Sequence, residues 1–390
     1  MKVYCINFQG VSEGRRTNAI VRGMFDMFRR LDPSKYVFLN CSLDKDYGPN
    51  FQCLNKYQLT FFYFINDICG KLRIPSYIRR TVLEKIVDYC LCKYLKKEKE
   101  PFLLITTMYS VRCTHYAKNK GYKVVLWAGN LNDILYYETI KREQERLSLH
   151  YIDVYTSDYR INVYRRMLEN IDYVYCLNSL IAWSFKGKEV IMDPRNRKKE
   201  KPLYPKDYSS NMPNKIVIGY FGHTTLLKGV HQLAEALVLC KHKNNIGFVI
   251  AGGVDNYVRS VLDRYDIDIT YKGFVAENEK WNTIQSFDYM IVPSLYDAGP
   301  STIAEAYKCD VPVIVSSGCG EVDRYRNDPK CIVFKTMDIR DLANKLDYAY
   351  ENRSKYLCPN VIDDSYGDTS MTTEKLDFFT DLIDNICDLS

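Results

Sequence analysis

The sequence has no Cys-x-x-Cys pair, only five histidines, no Gly-x-Gly-x-x-Gly fingerprint and no long apolar run. Each absence removes a class of protein. Its fourteen cysteines come no closer than Cys90 and Cys92, which excludes a zinc ribbon or a dithiol redox motif. They read as reduced, mostly buried thiols of a reducing compartment. No apolar run reaches the ~18 residues needed to cross a bilayer. The opening MKVYCINFQG meets charged and polar residues too early for a signal peptide. The expectation is a cytoplasmic protein, at most peripheral at a membrane.

The first predicted strand runs into GVSEGR and no dinucleotide fingerprint follows the strand at Lys215, which argues against a nicotinamide enzyme. The Asp-x-Asp pairs Asp44/Asp46 and Asp266/Asp268 follow no buried strand end, so no metal site is expected. His115, His150, His231 and His242 have no evident partner in the sequence and read as structural. The formal charge of +6 is spread thinly, unlike the clustered charge of a nucleic-acid binder, and suits phosphates or an anionic membrane surface.

What is present is a chain of 390 residues, too long for one ordinary core, with strands and helices in alternation. Strands are predicted at Val3–Phe8, Tyr36–Asn40, Phe102–Thr106, Lys123–Trp127 and Ile171–Cys176, the last closing a first sheet. Helical spacing covers Asn18–Leu31, most of 50–100 and two stretches within 132–170. Asp193–Pro205 is charged, contains proline and is nearly free of apolar residues, and reads as a solvated interdomain linker. The pattern then restarts, with strands at Lys215–Tyr220, Gly247–Ala251, Ile269–Lys272, Asp288–Pro293 and Val311–Val315 and helices at Gly229–Leu239 and Ser301–Lys308. Thr372–Ile386 is an amphipathic helix. These runs predict two Rossmann-like, doubly wound α/β domains facing across a cleft: 1–195 with the terminal helix 366–390, and 206–365.

The informative stretch is Pro293–Val315, PSLYDAGPSTIAEAYKCDVPVIV. A strand ends at Pro293 and a helix opens at Pro300 or Ser301, where proline is favoured. The unpartnered amides of that first turn form an anion site suited to a diphosphate, which Gly299 lets approach closely. Asp297 precedes the helix, and Glu305 follows after seven intervening residues. Ser301 and Glu305 share a helix face. Upstream, Gly222 ends one strand and Lys228-Gly229 opens a helix; Gly252 and Gly273 follow two further strands.

This ordered set over 215–345 resembles the family-4 retaining glycosyltransferases of the GT-B fold: Lys228-Gly229, AGG at 251–253, KGF at 272–274, the acid–seven residues–acid spacing, then EA and PVI. The first domain resembles them through its opening strand and the loop with Gly10, Gly14 and Arg15.

The resemblance implies that Glu305 binds the donor ribose and that Lys228 neutralises a departing diphosphate. It implies that Asp297, with the amides around Gly299 to Thr302, contacts the sugar and diphosphate, within a donor site that includes Gly222, His223, Gly252, Gly273, Ala298, Pro300 and Ser301. Proline brings no N–H to that set. Gly14 and Arg15 would lie across the cleft near the donor phosphates. The donor would be a nucleotide-diphosphate sugar of the GDP-mannose or UDP-glucose type, with no tightly bound cofactor and metal-independent chemistry. The acceptor would be a glycan, glycoprotein or lipid-linked sugar.

Two residues depart from the family pattern: Asp297 stands where glutamate is usual, and His223 where arginine is frequent. A GT-B nucleotide-sugar epimerase, a sugar phosphorylase and a noncatalytic nucleotide-sugar-binding protein remain the alternatives. Lys71–Arg80, KLRIPSYIRR, mixes basic and apolar side chains and is a candidate interfacial patch.

Overall fold

The computed structural model describes residues 1–8, 19–41, 47–107, 109–193, 198–208, 214–359 and 373–388. The chain divides into two compact units: 1–137 with 150–195 and 371–390, and 138–149 with 196–370. The boundary differs from the expected one in giving 138–149, the end of the helix Asp133–Leu147, to the second unit. Glu143 and Arg146 hold it there through ion pairs to His231 and Glu235.

The first unit contains β1 (Lys2–Asn7), β2 (Tyr36–Asn40), β3 (Phe51–Cys53), β4 (Phe102–Thr106), β5 (Val124–Ala128), β6 (Tyr173–Cys176) and β7 (Glu189–Met192). They form one parallel sheet in the order β3-β2-β1-β4-β5-β6-β7. Strands such as FLLIT and VVLWA are buried along their whole length, as a sheet covered on both faces requires. Sequence reasoning closes this sheet at β6, but the structure adds β7 outside it. β7 is short and half-exposed, so it carries no apolar run to announce it.

The second unit contains β8 (Ile216–Phe221), β9 (Ile246–Ala251), β10 (Ile269–Gly273), β11 (Tyr289–Val292), β12 (Val313–Ser316) and β13 (Cys331–Phe334). Their order, β10-β9-β8-β11-β12-β13, is the doubly wound arrangement, with the direction of winding reversing between β8 and β11. Side chains alternate between two cores. Ile216, Ile218, Phe248, Ile250 and Ile291 enter one, and Met290, Val292, Val313 and Val315 the other.

The terminal helix Thr373–Asp388 packs on the first sheet. Its Phe379, Ile383 and Ile386 are almost fully buried beside Phe28, Trp127 and Tyr175, each worth about 1.5–3 kcal/mol on burial.

The stretch read as a solvated linker is corrected over its described part. Residues 198–208 are packed within the second unit. The Leu203 and Tyr204 amides donate to the Lys308 carbonyl at 2.8 Å, Tyr204 stacks on Trp281, and Lys199 pairs with the buried Asp328. Lys199 and Lys206 are placed opposite acids, Glu200 opposite Lys308, and Tyr204 and Tyr208 against a ring and a carbonyl. No helix among the described residues is long and apolar enough to cross a membrane.

Candidate functional site

The sequence-derived candidates of the second unit cluster at the carboxyl ends of its strands. β8 ends at Phe221, and Gly222 follows with φ 136° and its amide on the Ala251 carbonyl at 2.8 Å. Gly252 has φ 141°, and a Cβ there would collide with the Gly222 carbonyl, so the two strand ends approach only because Gly252 carries no side chain. Gly229, with φ 69°, is pressed in the same way onto the Pro293 carbonyl. That contact fixes Lys228 beside the loop leaving β11.

Lys228 donates from Nζ to Asp297 Oδ2, and the Gly299 amide donates to Asp297 Oδ1 at 3.1 Å. Both Asp297 oxygens are therefore engaged within the loop. The shorter acid acts here as a clasp between Lys228 and the loop that opens helix Ser301–Lys308. The Asp297 main chain is fixed too, its N–H on Gly318 and its C=O on Gly320. Ala298 is buried, Gly299 and Ser301 are exposed, and Pro300 is the residue before the helix, with no side-chain cap on the first turn. The first-turn amides of Ser301 and Thr302 have no intrahelical acceptor, and with the helix dipole they favour an anion.

Glu305 lies one turn further on. Lys280 donates to its Oε1 at 2.7 Å and Ser301 Oγ lies 3.4 Å from the same oxygen. Lys280 escapes sequence reasoning because it stands 25 residues away, on helix Lys280–Gln285, with no local motif. Asp255 escapes it likewise: His223 Nε2 lies 2.8 Å from Asp255 Oδ1, in room left by the missing side chain of Gly253. Below the loop, burial raises the pKa of the Tyr220 hydroxyl and the Asp297 charge raises it further; Tyr220 donates to the His223 carbonyl at 3.0 Å. Gly273 stands apart on the edge strand β10 with open space around it. Gly14 and Arg15 lie outside the described residues.

His231 is corrected from a histidine without a partner. It is fully buried, with Nε2 2.9 Å from Glu143 Oε2. Burial alone would raise the Glu143 pKa, but His231 and Arg146 override it and hold the carboxyl at about 2. His242 likewise lies 3.0 Å from Glu351, and His115 2.9 Å from Asn119.

The first unit has a cavity of about 160 Å³ at the carboxyl ends of β1, β4 and β5, with Asn7, Thr107, Trp127 and Tyr109 among its lining. Arg160, nearly inaccessible, lies on its wall. It pairs with Glu84 at 3.0 Å and Asp133 at 3.7 Å, donates to the Tyr109 hydroxyl at 2.9 Å and lies over that ring. Burial raises the Asp133 pKa against the pull of Arg160. Sequence reasoning names none of these residues, because they come from three separate helices and a loop.

With this geometry established, three kinds of likeness bear on identity. Residues 206–359 match the family model described as glycosyl transferases group 1. A Campylobacter jejuni N,N'-diacetylbacillosaminyl-diphospho-undecaprenol alpha-1,3-N-acetylgalactosaminyltransferase is 26% identical over 144 residues; the match covers 36% of this chain and 37% of that protein, little more than a third of its length. The structure of the lipopolysaccharide outer core galactosyltransferase WaaB is similar over 99% of both chains, with a TM-score of 0.59 at 13% identity. Anabaena HepE, solved with UDP and glucose, is similar over 92% of each chain, with a TM-score of 0.51 at 14% identity. Residues 206–359 thus match the group 1 glycosyl transferase model, in a chain with the two Rossmann-like domains of the GT-B fold.

Proposed function

We propose that this protein is a retaining glycosyltransferase that moves a hexose from a nucleoside-diphosphate sugar to a glycan, glycoprotein or lipid-linked acceptor. One observation carries the reading: Lys228, Asp297, the opening turn at Ser301 and Glu305 converge on the carboxyl edge of one parallel sheet. Glu305 accepts hydrogen bonds from the ribose diol, with Lys280 and Ser301 fixing the plane of its carboxylate. The diphosphate lies on the Ser301 and Thr302 amides. Lys228, aimed by Asp297, meets the negative charge that develops as the glycosidic C–O bond breaks.

The acceptor hydroxyl attacks from the face the diphosphate leaves, and its proton passes to a diphosphate oxygen. No protein nucleophile and no metal is assigned a part. HepE's complex with UDP supports a UDP-sugar as one donor type, with GDP-mannose as the other. The polyprenyl-linked substrate in the Campylobacter relative's name supports a lipid-linked acceptor. We assign acceptor recognition to the first unit, whose cavity offers buried hydrogen-bonding groups.

The test is a panel of nucleotide sugars, scored for free nucleoside diphosphate and an extended acceptor. Lys228→Ala and Glu305→Ala should each lower transfer by about 10²–10³-fold, with thermal midpoints close to that of the parent. Undiminished turnover in either variant would sink the assignment. An epimerised or phosphorolysed donor without glycan extension would move the reading to a different GT-B activity.

A further inference from the structure

Helix Lys56–Lys71 of the first unit buries none of its residues. It packs beside Ser76–Leu95, and residues 72–75 make the turn between them. Tyr57, Phe61 and Phe64 are 87%, 52% and 58% exposed, at spacings of four and three residues that place them on one helix face. Leu72, 67% exposed, extends the apolar surface through the turn, and Ile78 continues it onto the second helix. A soluble domain seldom leaves large aromatics clustered in water.

Charge surrounds the same surface. Residues 56–80 hold five cations (Lys56, Lys71, Arg73, Arg79, Arg80) against one carboxylate, Asp67, so their net charge is 5 − 1 = +4 in a chain whose total is +6. A groove of about 750 Å³ beside the first helix is lined by Tyr57, Phe61, Tyr89 and Tyr159, with Lys85 lying 4.5 Å over the Tyr159 ring. Aromatic and aliphatic side chains bordered by Lys and Arg are the composition of a surface that lies in the interfacial zone of a bilayer. The 16-residue helix is shorter than the ~20 residues a spanning helix needs. Pairing with a second copy would set +4 against +4, which electrostatic complementarity disfavours.

We infer that the helical hairpin 56–80 docks this protein on an anionic lipid bilayer, with Tyr57, Phe61, Phe64 and Leu72 entering the headgroup–acyl boundary and Lys56, Lys71, Arg73 and Arg79 facing lipid phosphates, while Arg80 stays with Glu84. This enlarges the patch visible in the sequence at 71–80 to the preceding helix. It does not depend on the transfer reaction.

The test is flotation of the full chain, without nucleotide sugar, on vesicles of phosphatidylcholine alone and of phosphatidylcholine with about a third phosphatidylglycerol. The parent should float with the anionic vesicles at least tenfold better than with the neutral ones. The triple variant Tyr57→Ser/Phe61→Ser/Phe64→Ser should lose at least tenfold of that binding. Lys56→Glu/Lys71→Glu, on exposed positions that touch no core, should lose at least fivefold and serves as the readout if the triple variant folds poorly.

A parent that does not float, variants that float as well as the parent, or a lipid-free dimer that the triple variant converts to monomer would each overturn the inference. Because no donor is present, a negative transferase assay leaves this result standing, and failed flotation leaves the transferase reading standing.

Discussion

The two units share the strand order of a doubly wound sheet but differ in what they place at its carboxyl edge. The second unit presents glycines, a short helix opening toward solvent and two part-exposed ion pairs, Lys228–Asp297 and Lys280–Glu305. The first encloses its charge: Arg160 and Arg80 face Glu84 and Asp133 around a small cavity. Between β3 and β4 it also inserts the hairpin of Lys56–Lys71 and Ser76–Leu95, where the second unit has only helix Lys280–Gln285 between the equivalent strands β10 and β11. An exposed ion pair can exchange its partner for an arriving phosphate at small cost, whereas a buried network is costly to disturb.

That contrast can be broken at its strongest point. Arg160→Ala removes the buried cation that Glu84 and Asp133 share, leaving Glu84 only its part-exposed pair with Arg80, and should cost about 3–5 kcal/mol in urea unfolding. A loss below about 1 kcal/mol would show that the cavity is wetter and more adaptable than its burial implies.

The next effect separates buried from exposed charge within the second unit. Glu143 has its carboxyl held at about 2 in the folded chain, against 4.5 for the group unperturbed. A depressed acid stabilises fully above its unfolded pKa, and that contribution disappears as pH falls through the folded value. The window is therefore pH 4.5 down to 2, and the loss about 3 kcal/mol over it. Glu143→Gln should flatten the stability profile in that range; an unchanged slope would remove Glu143 from the account. Smallest of the three, Gly273→Ala meets no atom within 4 Å and should cost only about 1 kcal/mol, the strain of φ 68°, without altering donor affinity by calorimetry. A collapse of affinity would bring Gly273 into the site.

The sequence made the second unit's site legible where chemistry is local. Gly222 and Gly252 directly follow strand ends, Lys228 precedes a helix, and Asp297 and Glu305 lie in and just beyond the loop between a strand and a helix that buried runs had already marked. The fold was readable for the same reason: β1, β4, β5, β8 and β11 are unbroken apolar segments. Illegible parts had another origin. β13 is four residues between lysines, and β3 only three. Lys280, Asp255 and Glu143 reach their partners across 25, 32 and 88 residues, distances that only the tertiary fold closes. The segment 198–208 misled because its charge suggested water, while its partners Asp328, Trp281 and Lys308 are far along the chain.

That segment also braces the helix that carries Glu305. Helix Ser301–Lys308 has eight residues, about 12 Å, and is too short to persist alone. Its far end is moored by the Leu203 and Tyr204 amides on the Lys308 carbonyl, just as its near end is moored by the Asp297 loop. A rod anchored at both tips cannot recoil when an anion presses on one of them. In the proposed donor site, this remote belt of chain would be a backstop for the pyrophosphate seat, and loosening it would reach the reaction without touching any atom of the substrate.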